Sequence, residues 1–172
     1  MPGEGGGPVD SSLISLLDGL LGEGPGGNDF TQRPWFTHFQ AAFDRLSEIS
    51  GVTYNYEPKD DGAFFSSGNS GRGQLGVRGD VRIGGRTYGP GSSVLAANYY
   101  PDFGEMMINV DQGSYYADPD DDFRTFRNII MHEAMHGLGV AHVESAGKKF
   151  LMEPFIDTSF DGPLLDDVLA LQ

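Results

Sequence analysis

The chain has 172 residues, which is enough for one domain with its own apolar core. It carries 25 acidic and 11 basic side chains, and the net charge of −14 disfavours nucleic acid and anionic membranes as partners. The sequence contains no cysteine, which excludes disulfide bonds, and no apolar run reaches the roughly 18 residues of a membrane span. We expect a monomer that binds neither nucleic acid nor membrane.

The first 33 residues form an extension in which two glycine- and proline-rich clusters, at 5–8 and 22–27, surround one amphipathic stretch. Its leucines recur at helical spacing and predict a short helix over 11–21 that docks on the domain: Leu13, Leu16, Leu17 and Leu20. A second interpretation is a pro-segment that places Asp10 or Asp18 over a metal site further along the chain.

Pro34 begins a second predicted helix, which Gly51 ends. Its apolar residues form one broad stripe: Trp35, Phe36, Phe39, Ala42, Phe43, Leu46 and Ile49. His38 lies on the polar side, so we expect a solvated histidine and not a ligand. Alternation or short apolar runs then predict strands over 52–56, 77–83 and 106–110, with a Gly- and Ser-rich surface loop over 60–76.

Three of the four histidines fall within eleven residues, 132–142. His132 and His136 are four residues apart, so on a helix they project from one face and can meet at one metal ion. The pair alone could be accidental on a surface helix. However, the segment 128–140 is otherwise almost wholly apolar, and burying a glutamate and two histidines is costly unless they are paired or bound to metal.

The third histidine, His142, would lie roughly 15 Å from His132 along a straight helix, out of reach of the same ion. Gly139 allows the helix to end and the chain to turn back, because glycine adopts the left-handed conformation without a Cβ penalty. Three imidazoles leave a fourth position for water, as in catalytic zinc sites. Glu133 is placed to deprotonate that water.

An acidic cluster, 118–122, precedes this helix. Carboxylates at a helix N-terminus are stabilised by the helix dipole and cap free amide groups, and the cluster lacks the ligand spacing of an EF-hand. We therefore predict capping, with Asp111 and Asp118 as the weaker candidates for calcium.

The string from 132 to 142 resembles the signature of the metzincin zinc proteases at each defining position: His132, Glu133, His136, Gly139 and His142. Ten residues later, Met152 stands in Leu-Met-Glu-Pro, which resembles the Met-turn of that clan. Because Pro154 follows Met152 by two residues, the turn is more similar to that of the matrixins, here of the bacterial type, than to that of astacins. Without the motif, Met152 would be an ordinary core methionine.

Weaker similarities to matrixins extend from Pro34 to Gln172. Residues 79–83 resemble the third strand of their sheet, 93–101 the edge strand along which a substrate lies, and 166–172 the start of their last helix. The resemblance implies an α+β fold: a twisted, mostly parallel sheet with an antiparallel edge strand, a long active-site helix and a C-terminal helix. It also implies two parts, the extension 1–33 and a matrixin-like catalytic domain over 34–172.

The departures from the family concern its other metals and its latency. Ala97 and Asn109 occupy the places of the histidines that hold a second, structural zinc in animal matrixins, so we expect one catalytic Zn²⁺. The segment 84–92 is short and lacks the aspartates that hold calcium in the family, so calcium is only a weak expectation. Without a cysteine, these residues cannot block the zinc with a thiolate.

The sequence thus predicts a secreted zinc endopeptidase in which Glu133 acts as general base and then as general acid. By resemblance, Val94, Leu95 and Ala96 pair with the substrate backbone, and Pro154, Phe155 and Ile156 line the selective pocket. The start of the chain, 1–4, lacks the features of a signal peptide. Two alternatives stay open: a zinc-containing module that binds peptides or proteins but cleaves weakly, and a zinc hydrolase for other substrates.

Overall fold

The computed structural model describes residues 10–63, 65, 72–101 and 103–172. In these ranges the protein is an α+β fold with five α-helices and three strands, and the helices are α1 (Leu13–Leu21), α2 (Phe36–Ser50), α3 (Gly113–Tyr116), α4 (Arg124–Gly137) and α5 (Leu165–Ala170). The strands are β1 (Ile83–Arg86), β2 (Ala96–Asn98) and β3 (Met106–Asn109). The glycine cluster at 5–8 and part of the predicted loop 60–76 lie outside the described residues.

The three strands form one small open sheet in the order β1-β3-β2. Strand β1 pairs with β3 in parallel, and β2 pairs with β3 antiparallel, with Ala96 opposite Ile108. The predicted antiparallel edge strand is therefore confirmed as β2, although it is shorter than the segment 93–101. With one pairing of each kind among the described residues, the sheet is mixed, and the expectation of a mostly parallel sheet is wrong.

Two of the predicted strands are wrong in place. Residues 52–56 form no strand, because their alternation reflects packing on α2: the ring of Tyr54 lies 4.9 Å from that of Phe43, and Tyr56 lies 4.9 Å from Phe36. The strand predicted over 77–83 begins only at its last residue, since residues 74–78 form a tight turn closed by the bridge between Gln74 and Arg78. Residues 84–86 of the short segment 84–92 therefore belong to β1.

Helix α1 packs into the same core as the rest of the protein, which confirms the predicted docking. Leu13 and Leu17 are buried in it. The segment before α1 hydrogen-bonds to β1, because Ser12 N donates to Gly85 O at 2.9 Å and Gly85 N donates to Ser11 Oγ at 2.9 Å. Gly85 permits this approach, since a Cβ there would lie 3.0 Å from the Cα and Cβ of Leu13.

Asp18 links α1 to the start of α2. One of its carboxylate oxygens accepts a hydrogen bond from Arg33 at 2.8 Å, and the other accepts one from the indole nitrogen of Trp35 at 2.8 Å. Because both oxygens are engaged there, the interpretation of Asp18 as a pro-segment ligand is not supported. Asp10 is exposed.

The predicted helix from Pro34 to Gly51 is confirmed as α2, and Gly51 ends it with a left-handed φ of 74°. Its stripe packs on α4, where the ring of Phe39 meets that of Phe126 at 5.3 Å. His38 is half-buried against the ring of Phe123, 5.0 Å away, and not fully solvated as expected. Burial lowers the pKa of His38, and Arg127 adds to that shift. None of the helices described here has the length and apolar character that crossing a membrane requires.

Candidate metal centre

Helix α4 brings two of the three histidines into the interior. It packs between α2 and β2, and nearly every side chain from Thr125 to His136 is buried. The helix ends at Gly137, and Gly139 adopts a left-handed φ of 97°. Gly139 N donates to His136 O, and Val140 N donates to Met135 O, which is the pattern of a Schellman cap. The predicted role of Gly139 is therefore confirmed.

The turn after Gly139 brings His142 back to the other two histidines. Its Nε2 lies 3.1 Å from His132 Nε2 and 3.2 Å from His136 Nε2. Ligand nitrogens about 2.1 Å from a tetrahedral ion would be separated by about 3.4 Å. The three imidazoles thus form a group able to bind a metal ion, and it is the sole such histidine or carboxylate group found in the described part of the chain.

Backbone carbonyls orient the two buried imidazoles. His132 Nδ1 lies 2.6 Å from Leu151 O, and His136 Nδ1 lies 2.7 Å from Val140 O. A hydrogen on each Nδ1 satisfies these contacts and leaves the Nε2 lone pair facing the centre of the cluster. Burial lowers the pKa of His132 to about 4 and also lowers that of His136, so both rings are neutral at pH 7.

Glu133 lies beside the first histidine and is only 7% exposed. Its Oε2 is buried without a hydrogen-bond partner among the described residues. Burial raises the pKa of this carboxyl group to about 8. An unpaired buried carboxylate is costly in a folded protein, and such groups occur where a site uses them.

The segment predicted as the Met-turn contacts the first histidine through one backbone carbonyl. Leu151 and Met152 are buried, and Leu151 O is the acceptor that faces His132. Asp167 of α5 holds this turn, because its buried carboxylate accepts hydrogen bonds from Leu151 N at 2.9 Å and Met152 N at 3.2 Å. It also accepts one from Leu164 N, 2.9 Å away. Helix α5 therefore holds the turn at Leu151 and Met152, whose Leu151 carbonyl oxygen faces His132.

A second carboxylate shapes the loop between His142 and the Met-turn. Glu153 is buried, and its Oε1 accepts hydrogen bonds from the backbone nitrogen and the hydroxyl of Ser145. On the same loop, Val143 N donates to Met152 O at 2.9 Å. These contacts fix the chain directly after His142, which is itself exposed.

The edge strand borders the histidines. A Cβ on Gly137 would lie 2.9 Å from Asn98 Nδ2, and a Cβ on Gly139 would lie 3.4 Å from Pro101. Between these contacts, the ring of Tyr100 lies 5.6 Å from that of His136 and is 53% exposed. The end of β2 therefore packs against the end of α4, next to the metal ligands.

The predicted substrate residues lie in two places. Val94 is exposed, Leu95 and Ala96 are half-buried, and only Ala96 belongs to β2. On the other side, Pro154 and Phe155 are exposed while Ile156 packs against the core. Phe155 is 82% exposed, and Val143 on the loop after His142 is also exposed.

The acidic residues before α4 act as caps. Asp118 accepts a hydrogen bond from Asp120 N at 3.0 Å, and Asp121 accepts hydrogen bonds from Arg124 N and the Thr125 hydroxyl. Asp121 therefore satisfies a free amide at the start of α4, as predicted, whereas Asp118 caps the short 3-10 turn Pro119–Asp121, and Phe123, directly before α4, contributes no side-chain cap. Asp111 accepts hydrogen bonds from Tyr88 N and Gly89 N.

The two positions compared with structural-zinc ligands differ from each other. Ala97 is exposed on β2, whereas Asn109 is fully buried at the end of β3. Asn109 donates from Nδ2 to Val94 O at 2.7 Å and accepts at Oδ1 from Asp111 N at 3.0 Å. Its amide is thus fully occupied by backbone groups.

Sequence reasoning missed Tyr100 and Tyr116, and it gave Asp167 no role. Tyr116 is buried, and its hydroxyl lies 2.5 Å from Leu95 O and 2.9 Å from Asn109 O. Tyr100 gave one usable signal, since it lies within the segment 93–101 that was predicted as the edge strand. A comparison with models of protein families finds no match, and a comparison with curated proteins finds none either. Function must therefore be argued from the site.

Proposed function

We propose that this protein is a zinc-dependent endopeptidase with a matrixin-like, metzincin active site. The observation that carries the proposal is the convergence of three imidazole nitrogens beside a buried glutamate with an unpaired oxygen. The signature from His132 to His142 and the turn at Met152 support it, because the three histidines of the signature converge and the carbonyl of Leu151, next to Met152, faces His132.

The residues present fit zinc. Neutral imidazoles are common zinc ligands, and the Nε2 of His142 lies 3.1 Å and 3.2 Å from those of His132 and His136, close to the spacing of ligands on a tetrahedral ion. The Nδ1 contacts to Leu151 O and Val140 O match the outer hydrogen bonds that orient histidine ligands. His132, His136 and His142 would hold the ion, and three ligands leave one position for water or substrate.

When bound there, Zn²⁺ lowers the pKa of a water molecule to about 7 and polarises the scissile carbonyl. Glu133 accepts the proton of the attacking water and then donates it to the leaving amine. Burial raises the pKa of Glu133 while no metal is bound, and the positive charge of a bound Zn²⁺ would lower it again, which favours the carboxylate form that accepts the proton. The Met-turn keeps His132 in place through Leu151 O.

The proposed substrate is a peptide that adds a strand to the free side of β2. Leu95 and Tyr99 are hydrogen-bonded to β3, since Asn109 N donates to Leu95 O and Tyr99 N donates to Glu105 O. Alternation then directs the backbone groups of Ala96 and Asn98 away from β3. The proposed peptide therefore pairs with Ala96 and Asn98. The sequence suggested Val94, Leu95 and Ala96, so only Ala96 is common to both sets.

Exposed apolar side chains occur on the segments that adjoin the three histidines. Tyr100 lies on the β2 side, and Val143 and Phe155 are exposed on the side of the Met-turn. Exposed apolar groups beside a catalytic centre favour apolar substrate residues. We therefore propose cleavage next to apolar residues, with Pro154, Phe155 and Ile156 on the selective side.

Incubation of the zinc-loaded protein with casein tests the activity. Glu133→Gln should lower the rate of cleavage about 10²- to 10⁴-fold and leave the bound zinc unchanged, because it removes the general base and no ligand. Glu144→Gln is the matched control, since this exposed glutamate follows His142 by two residues and should cleave like wild type. Equal cleavage by Glu133→Gln would exclude Glu133 as the base, and no cleavage by zinc-loaded wild type would favour a binding module.

A further inference from the structure

The segment that leads into β2 is held mainly by side chains. Strand β2 has only three residues, and residues 92–95 before it make one backbone hydrogen bond to β3, from Asn109 N to Leu95 O. Three side chains supply the remaining contacts: Asn109 Nδ2 donates to Val94 O, the Tyr116 hydroxyl to Leu95 O, and Gln112 Nε2 to Ser92 O at 2.7 Å. All three donors come from residues 109–116.

Tyr116 connects this segment to the helix of the metal ligands. Its ring packs against Phe126 of α4, with ring centroids 5.7 Å apart, while its hydroxyl reaches Leu95 O. Two turns further along α4 stands His132. One buried side chain thus spans from the helix that carries the histidines to the strand proposed to bind the substrate.

The spacing between these two elements matters for the proposed reaction. A peptide can pair only with a β2 that is held in place, so its apparent affinity falls in proportion to the fraction of molecules in which β2 is so held. A three-residue edge strand has few ladder hydrogen bonds of its own to maintain that spacing. The side-chain donors of Asn109, Gln112 and Tyr116 supply additional hydrogen bonds to the segment that leads into β2.

We propose that Tyr116, with Asn109 and Gln112, is a positioning residue that fixes β2 at the correct distance from α4 for pairing with a peptide substrate. This inference rests on the proposed peptidase function. Neither Tyr116 nor Asn109 touches the metal ligands, so their effect on substrate is transmitted through Leu95 and Val94. The prediction differs from a general role in stability, because its effect is confined to β2 and to substrate binding.

Tyr116→Phe tests the inference, because it removes the hydroxyl and keeps the ring against Phe126. We expect faster amide hydrogen exchange over 92–100 only, unchanged zinc affinity, and a KM for a peptide substrate that is about three- to tenfold higher with kcat within about twofold. Gln112→Met should produce a smaller effect in the same direction. The matched control is Tyr115→Phe, whose exposed ring precedes Tyr116 and which should behave as wild type in each measurement.

Three outcomes would decide the matter. Unchanged exchange over 92–100 together with an unchanged KM in Tyr116→Phe would overturn the inference. Faster exchange throughout the protein with loss of zinc would also overturn it, because the hydroxyl would then stabilise the whole fold. If exchange in Tyr116→Phe accelerates only over 92–100 but the zinc-loaded wild type cleaves no peptide, the anchoring of β2 is supported and the peptidase function is contradicted.

Discussion

The helix of the metal ligands and the strand beside it are stabilised by different kinds of contact. Helix α4 is buried on nearly all sides and ends in a Schellman cap, and carbonyls of the chain orient His132 and His136. Strand β2 is three residues long and depends on side chains from 109–116. The half of the site proposed to perform the chemistry is thus held by local structure, whereas the half proposed to bind substrate is fixed by a few side-chain donors that are distant in sequence.

The largest expected effect concerns the metal. His142→Ala should lower zinc affinity by more than about 10²-fold, because it removes one of three ligands, and the exposure of His142 makes loss of the fold unexpected. Competition with a chelating dye measures the affinity. His38→Ala is the control, since His38 packs on Phe123 and should leave zinc binding unchanged. Equal affinity in His142→Ala would separate the third histidine from the metal centre.

The next effect tests whether the extension belongs to the core. Leu17→Ala should lower the free energy of unfolding by about 2–5 kcal/mol, because it leaves a cavity at a fully buried position. Urea denaturation provides the measurement. The exposed neighbour Ser15→Ala should remain within about 0.5 kcal/mol of wild type. A Leu17→Ala protein as stable as the control would show that α1 is a linker.

A third prediction concerns the hydrogen bonds that join Asp167 to the turn at Leu151 and Met152. Asp167→Asn should lower the free energy of unfolding by about 2 kcal/mol, because the carboxylate that accepts hydrogen bonds from Leu151 N, Met152 N and Leu164 N becomes an amide with one acceptor. Asp166→Asn changes the exposed neighbour and should have little effect. If the two variants unfold at the same urea concentration, the Met-turn does not depend on α5.

The smallest effect is a pH dependence next to β2. Glu105 is buried, neither of its carboxylate oxygens has a partner among the described residues, and burial raises its pKa above the ordinary value. A raised folded-state pKa of an acid lowers stability as pH rises above the unfolded value of about 4.3. Glu105→Gln should therefore be more stable than wild type at pH 8, by on the order of 1 kcal/mol.

The control for Glu105→Gln is the same comparison of variant and wild type at low pH. Below about pH 4 the wild-type carboxyl is protonated in both states, so the advantage of the variant should vanish there. Chemical denaturation at pH 4 and pH 8 measures both values. A constant difference at the two pH values would show that the charge of Glu105 carries no penalty in the fold.

The metal centre was predictable because its information is local. The spacing of His132 and His136 predicted one helical face, and Gly139 predicted the turn that returns His142 to them. The segment predicted as the Met-turn lies only ten residues after the motif. Each of these inferences needed only one short segment of sequence, and hydrogen bonds and φ angles in the structure agree with them.

The sheet and the anchoring of β2 were not predictable in the same way. Strand β1 contains Gly84 and Gly85, which weaken a strand pattern, and its position depends on Ser11, 74 residues from Gly85. Tyr116 is one of several aromatic residues in the sequence, and only the structure shows that its hydroxyl donates to Leu95 O. The alternation over 52–56 arose from contacts with α2, because periodicity reports burial and not the identity of the neighbour.

The central claim is a metal centre built from three histidines, and X-ray absorption at the zinc edge tests it most directly. In zinc-loaded protein we predict one zinc per chain with three imidazole nitrogens and one oxygen ligand from water, at about 2.0–2.1 Å. In His142→Ala the spectrum should lose one imidazole. A zinc ion with two imidazoles in the wild type, or a spectrum unchanged by His142→Ala, would contradict the account.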